Sequence, residues 1–208
     1  MLESTLATFV VLVCISFALA ELIRRWTAIQ DRTNKRILVT GCDSGFGAQF
    51  VAQQLAEGQT VFAACYTRQG EEKLRKVGAW FPGVLHTFNM DVTDDRSVEA
   101  GVEFVQSKTN DLWALVNNAG VFGVHGPDDW LTVQHYQDAI DVNLLGVIRV
   151  THAFKHLLKR RAGSRIVNTS RGHCAGRIGF NTAAPYCVSK YALEAYSDCL
   201  RYDVSSRV

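Results

Sequence analysis

The sequence predicts a doubly wound α/β fold, a parallel sheet covered by helices on both faces. Three observations carry this. From residue 36 onward, short apolar runs alternate with segments of helical periodicity. The runs are continuously apolar, as strands buried on both faces are, and do not alternate with polar residues. The first run ends in a cluster of glycines where a helix begins, which is where such sheets bind ligands.

The elements follow in order. Arg36–Thr40 (RILVT) reads as the first strand. Gly47–Glu57 has helical spacing, with Phe50, Val51 and Leu55 apolar, and Gly58 stops it. Thr60–Cys65 (TVFAAC) is a second strand and Glu71–Val77 a short helix. Val84–Phe88 is a third strand. Asp94–Lys108 is amphipathic, with Val98, Val102 and Val105 on one side. Leu112–Asn117 (LWALVN) is a fourth strand, and helical pattern then runs from about Leu131 to Arg161. Arg165–Thr169 (RIVNT) is a fifth strand and Pro185–Val204 a long helix.

Composition narrows the function classes. The chain has 208 residues, 48% hydrophobic and 20% charged, which excludes disordered and collagen-like chains. Lys plus Arg number 22 against 20 Asp plus Glu, so there is no basic excess to neutralise phosphates and no nucleic-acid partner is expected. The cysteines Cys14, Cys42, Cys65, Cys174, Cys187 and Cys199 form no C-x-x-C pair and read as reduced thiols. His152 and His156 share a helix face, but no third ligand lies near them. A solvated face is the reading, and no metal is expected.

The N-terminal sequence is of a different kind. Thr5–Ala20 carries no charge, and the stretch from Leu2 to Ile23 has about the length a bilayer-spanning helix needs. Arg24, Arg25, Arg32, Lys35 and Arg36 follow it, which predicts a membrane anchor with the remaining chain facing the cytosol. Ala18-Leu19-Ala20 also resembles a signal-peptide cleavage site, and a buried core helix is a third reading. The absence of Lys or Arg before the run, and the Arg24-Arg25 pair after it, favour the anchor. The expected organisation is 1–35 as anchor and basic flank and 36–208 as the folded domain.

Three glycines mark the first strand-to-helix junction, in Thr40-Gly41-Cys42-Asp43-Ser44-Gly45-Phe46-Gly47. Gly41 permits a sharp turn, Gly45 lets backbone approach a pyrophosphate, and Gly47 lets the helix lie close to the strand. The helix N-terminus then presents free N–H groups to an anion. The spacing resembles the TGxxxGxG loop of the short-chain dehydrogenases/reductases, a Rossmann-like family. Asn117-Asn118-Ala119-Gly120 resembles that family's NNAG motif. Asp141–Gly146 (DVNLLG) resembles its helix segment with a functional Asn, and Tyr186-Cys187-Val188-Ser189-Lys190 matches YxxxK. TGCDSGFG, LWALVNNAG and YCVSKYALEAYSDCLRYDV are similar to the retinol, hydroxysteroid and D-3-hydroxybutyrate dehydrogenase branch, several members of which are membrane-bound.

The resemblance implies an NAD(P)-dependent oxidoreductase that interconverts an alcohol and a carbonyl. Tyr186 is the implied acid/base, Lys190 its electrostatic support and ribose ligand, and Asn143 the support of a water relay. A cation near a phenol favours the phenolate, which suits Tyr186 for proton abstraction. The family Ser aligns with Ser170 from the strand side, whereas counting back from Tyr186 lands on His173. Ser170 is the expected substrate-orienting residue and His173 the alternative. Gly41, Ser44, Gly45, Phe46, Gly47, Asp91, Asn118, Ala119, Gly120, Tyr186 and Lys190 are the implied cofactor contacts, with Asp91 toward the adenine.

Cys65-Tyr66-Thr67-Arg68 has no acid for the ribose hydroxyl of NAD, and Arg68, which would suit the phosphate of NADP, sits a little late; the branch resemblance implies NAD, with NADP possible. The implied substrate is a small lipophilic alcohol or ketone, retinol or a hydroxysteroid, and the implied location is the endoplasmic reticulum membrane. The alternatives are a D-3-hydroxybutyrate-type dehydrogenase and a non-catalytic dimer partner, with a homodimer implied by family habit. The family continues past the long helix into a sixth strand and a Pro-Gly turn, which this sequence does not reach. The expectation is an incomplete domain that is poorly active or inactive by itself.

Overall fold

The computed structural model describes residues 35–170 and 182–205, with side-chain surroundings as far as 201, and Ser16, Phe17, Leu19 and Ala20 in the N-terminal segment. Two compact units divide the chain, Met1–Arg32 and Thr33–Val208. In the first, the four described residues are helical and exposed. The rest of the expected membrane span, together with His173 and Cys174, lies outside the described residues. Among those described, no helix is long and apolar enough to cross a membrane.

The second unit is a parallel sheet with helices on both faces. Its strands are β1 (Arg36–Thr40), β2 (Thr60–Cys65), β3 (Val84–Asn89), β4 (Ala114–Asn117) and β5 (Arg165–Asn168). Their spatial order is β3-β2-β1-β4-β5, all parallel. In β1, Ile37 and Val39 enter one core cluster and Leu38 the other, as the alternation of side chains along a strand requires. Both clusters are apolar, so the inner strands β1, β2 and β4 read as nearly continuous hydrophobic runs.

Helices α1 (Gly45–Ala56) and α2 (Arg68–Gly78) cover one face. Val51 and Leu55 of α1 and Leu74 of α2 pack there with Val61, Ala63 and Val116. Helix α3 (Asp95–Gln106) and α5 (Val147–Leu158) cover the other, with Val98, Val105, Val150, Phe154 and Leu157 against Leu38, Phe62 and Leu115. Phe154 is fully buried in this cluster. Phe154→Ala is expected to cost about 3–5 kcal/mol, read as a shift of the urea midpoint.

The sequence boundaries move where capping chemistry decides them. Helix α2 begins at Arg68, not at Glu71, because the Thr67 hydroxyl accepts the Gly70 N–H at 3.0 Å and caps it. Asp94 caps α3 by accepting from Arg96 and Ser97. The long helical stretch after β4 starts with α4 (Val133–Ile140), widens into a π-helical turn over Asp141–Gly146, and continues as α5. Helix α6 (Ala184–Ser205) follows β5. Strand β4 is shorter than expected. Leu112 is buried before it, but its N–H bonds to Leu157 and not to a strand.

Candidate active site

The order β3-β2-β1-β4-β5 reverses direction between β1 and β4, so the chain leaving β1 and the chain leaving β4 diverge there and open a crevice at the carboxyl ends. A cleft of about 550 Å³ occupies this place. Gly41, Ser44 and Phe46 from the first loop, Asp91 after β3, and Asn118, Ala119 and Gly120 after β4 all line it.

The glycine loop is built for close approach. Gly41 has φ +68°, and a Cβ on it would lie 2.6 Å from the Ala119 Cα. A Cβ on Gly47 would lie 2.4 Å from the Gly41 carbonyl oxygen. The Asn118 amide donates to the carbonyls of Thr40 and Gly41, both at 3.0 Å. The Thr40 hydroxyl accepts the N–H groups of Asn118 and Ala119, also at 3.0 Å. Asn118 therefore acts on the loop itself, clasping the end of β1 to the end of β4.

Ser44 at the N-terminus of α1 makes no side-chain cap, and the first turn contains no acid. The free N–H groups and the positive end of the helix thus stay available to an anion at the cleft. A cradle in which Cβ atoms would clash, beside an uncapped helix terminus, fits the pyrophosphate of a dinucleotide. Phe46 is 81% exposed at the cleft and offers it an apolar surface.

Asp43 was not among the residues singled out from the sequence, and the structure gives it a defined place. Its carboxylate accepts from the Tyr66 N–H and the Thr67 N–H, both at 2.8 Å, and from the Thr67 hydroxyl at 2.7 Å. A Cβ on Gly70 would lie 2.5 Å from the Asp43 Oδ1, so α2 closes over it. Asp43 thus puts an acid at the end of β2, where the local sequence has none. The only signal available was a charged residue inside a glycine loop. Asp91 also lines the cleft, with Oδ1 accepting the Thr93 N–H and hydroxyl in a local turn.

Burial pushes the Cys65 thiol up to about 12, with Asp43 and Glu71 adding to it. Burial also raises Cys42 well above the ordinary thiol range. Both stay protonated near neutrality and fill the core as small apolar groups.

The second half of the site surrounds α6. Tyr186 and Lys190 sit one turn apart, with the Lys190 Nζ 5.8 Å from the Tyr186 ring centre. Lys190 is only 4% exposed, and its ammonium donates to the Thr169 carbonyl at 2.8 Å. Asn143, fully buried in the π-helical turn, accepts the Val121 N–H at 2.8 Å and donates to the Val121 carbonyl at 2.9 Å. It also donates to the Ser189 hydroxyl at 2.9 Å, and Ser189 in turn donates to the Tyr186 carbonyl at 2.8 Å. Ser189, inside YxxxK, is therefore a positioning residue that the motif alone does not reveal.

Gly120 joins these parts. A Cβ there would lie 3.0 Å from the Asn143 Oδ1 and 3.5 Å from the Lys190 Nζ. The two sequence-distant motifs thus meet across the residue that ends the third. The Tyr186 ring stacks on Phe122 with centres 4.9 Å apart. Ser170 follows Thr169 at the end of β5, and its Oγ is buried with no hydrogen-bond partner among the described residues. A buried hydroxyl in that condition retains its hydrogen-bonding capacity for another group.

A family model described as short chain dehydrogenase matches residues 35–208. The chain is 42% identical to 3beta-hydroxysteroid dehydrogenase dhs-16 of Caenorhabditis elegans, over 84% of this chain and 46% of that protein. It is 40% identical to retinol dehydrogenase 16 of Rattus norvegicus, over 90% of this chain and 57% of that protein. The chain thus spans about half the length of the curated relatives it matches. Among solved structures, NAD+-bound xylitol dehydrogenase superposes with a TM-score of 0.79 at 25% identity, over 85% of this chain and 67% of that one.

Proposed function

The chain belongs to the short-chain dehydrogenase family, and from that premise we propose that it is a nicotinamide-dependent oxidoreductase that interconverts an alcohol and a carbonyl on a lipophilic substrate of the retinol or hydroxysteroid class. The observation that carries this reading is the meeting of Tyr186, Lys190 and Asn143 beside the glycine cradle. The nicotinamide supplies a hydride acceptor or donor when bound. Gly41, Gly45 and Gly47 admit its pyrophosphate and the α1 terminus balances the charge.

In alcohol oxidation the Tyr186 phenol oxygen takes the hydroxyl proton. The Lys190 ammonium favours the charged phenolate during that transfer. Asn143 holds Val121 and, through Ser189, the backbone of Tyr186, so the acid/base group has a rigid support. Ser170 supplies the hydrogen bond that orients the substrate oxygen. The exposed Phe122, stacked on Tyr186, suits an apolar substrate, and Val121 and Val124 of the same loop are exposed as well. Incubation with NAD+ or NADP+ and a panel of retinol, 3-hydroxysteroid, 17-hydroxysteroid and D-3-hydroxybutyrate tests the assignment. Turnover of hydroxybutyrate alone, or no binding of NAD(H) or NADP(H), overturns it.

NAD(H) is the proposed cofactor. The Asp43 carboxylate at the end of β2 repels a 2′-phosphate and can accept from a 2′-hydroxyl. Asp43→Asn is expected to shift the ratio of NADP(H) to NAD(H) dissociation constants toward NADP(H) by about tenfold, one charge contact's worth. Quenching of tryptophan fluorescence measures both constants, and an unchanged ratio rejects the role.

The segment Leu2–Ile23 with its basic flank is proposed as a membrane anchor, supported by its length and charge asymmetry and by the exposure of Phe17 and Leu19. The endoplasmic reticulum, with the folded unit facing the cytosol, is the proposed location. Release of the full chain from microsomes by alkaline carbonate would contradict an integral anchor.

A further inference from the structure

In a parallel sheet every strand starts at one end, and every crossover helix finishes there. That end of this domain is basic. Lys76 lies in the last turn of α2, Lys108 just beyond α3, Lys159 and Arg160 just beyond α5, and Arg165 opens β5. All five are exposed. Lys76, Lys108 and Lys159 make no ion pair among the described residues. The carboxylate of Asp111 at this end is already held by Arg36 at 2.6 Å and Arg161 at 3.7 Å. Glu57 after α1 and Glu103 in the last turn of α3 are exposed acids at this end, and Asp198 of α6 is paired with Arg201, so the end is net basic but not free of acids.

The same end carries Trp80, 88% exposed, in the turn between α2 and β3, flanked by Val77 at 43% and Val84 at 50%. The opposite end, around the cleft, exposes Asp94, Asp95, Asp128 and Asp129. Cations at helix C-termini complement the helix dipole, and Arg165, which starts a strand, lies over the Trp113 ring at 5.1 Å, but neither accounts for an exposed tryptophan between valines. A net-basic surface with an exposed tryptophan at its β3 edge has the chemistry of a bilayer interface bearing anionic headgroups.

We infer that the amino end of the sheet, with Lys76, Lys108, Lys159 and Arg165 across it and Trp80 at its β3 edge, docks on an anionic lipid surface and so turns the cofactor cleft away from it. The inference rests on the reading of the N-terminal segment as an anchor, because β1 begins at this end and the segment is tethered here through Lys35 and Arg36. The anchor supplies attachment, and the basic face supplies orientation. Acidic residues at the cleft end oppose the inverted arrangement by repulsion.

The test uses the full chain and co-sedimentation with vesicles, of phosphatidylcholine alone or of phosphatidylcholine with phosphatidylserine. The wild type is expected to bind the phosphatidylserine vesicles more tightly, with the difference lost in high salt. The triple variant Lys76→Glu, Lys108→Glu, Lys159→Glu is expected to lose that difference, at about fivefold per cation, with binding to phosphatidylcholine unchanged. Trp80→Ser should weaken binding to both vesicles, and Trp130→Ser, at the cleft end and 75% exposed, should change neither. Retained NAD(H) binding by each variant shows that it is folded.

Equal binding of wild type and triple variant to phosphatidylserine vesicles overturns the inference, as does a loss caused by Trp130→Ser. Binding to phosphatidylcholine with no gain from phosphatidylserine overturns the docking face and leaves the anchor standing. No vesicle binding by the wild type overturns both.

Discussion

Tyr186→Phe is expected to lower turnover by about a hundred- to ten-thousandfold while leaving NAD(H) binding within a factor of about two. The substitution removes one oxygen and keeps the ring, so the stacking on Phe122 and the start of α6 survive. Lys190 keeps its bond to the Thr169 carbonyl, and Asn143 keeps Val121 and Ser189. What disappears is the group that moves the proton. Steady-state formation of reduced nicotinamide measures the first quantity and fluorescence quenching the second. A loss smaller than tenfold would remove Tyr186 from the acid/base role. A comparable loss of cofactor affinity would make it a binding residue instead.

Gly47→Ala carries the second large effect, on cofactor binding. The added methyl would sit 2.4 Å from the Gly41 carbonyl oxygen and 2.6 Å from the Asn118 amide nitrogen. Neither neighbour is a flexible chain end. The carbonyl is backbone, and the Asn118 amide is held by Thr40 and Gly41. Helix α1 must therefore move off the β1–β4 junction and take its N-terminal N–H groups with it. Overpacking of this kind costs about 1–3 kcal/mol of stability. We expect NAD(H) affinity to fall by at least tenfold and the urea midpoint to drop. Gly45→Ala is the informative contrast. Nothing lies within 4 Å of a Cβ there, and only its φ of +59° opposes a side chain. That strain is about 1–2 kcal/mol. Equal loss of NAD(H) affinity in the two variants would show that backbone conformation, not helix approach, governs the cradle.

Much of this was legible in the chain because it is local. Each of the five strands lies within two residues of its expected limits, and β1, β2 and β4 are legible because a buried parallel strand is a nearly continuous apolar run whatever surrounds it. The helix starts were less legible at α2, where one side-chain cap at Thr67 outweighed the apolar pattern. The π-helical turn at Asp141–Gly146 left no mark in the hydrophobic period. It is held by bonds from Asn143 to Val121, in a loop distant in sequence. Asn118, an expected cofactor contact, lines the cleft, and its amide also engages the glycine loop, because a side chain at the end of β4 meets β1 only once the two strands pair.

The sequence by itself determined the order of strands and helices, the place of the glycine cluster and the one-turn spacing of Tyr186 and Lys190. These depend on contacts a few residues apart, which backbone periodicity imposes. Only the tertiary structure decided that Asn143 and Lys190 meet at Gly120, that Asp43 supplies the acid missing from the end of β2, and that Lys76, Lys108, Lys159 and Arg165 come to the end of the sheet opposite the cleft. Those juxtapositions come from parallel strand pairing, which stacks like ends of distant segments together and is invisible until the register is formed.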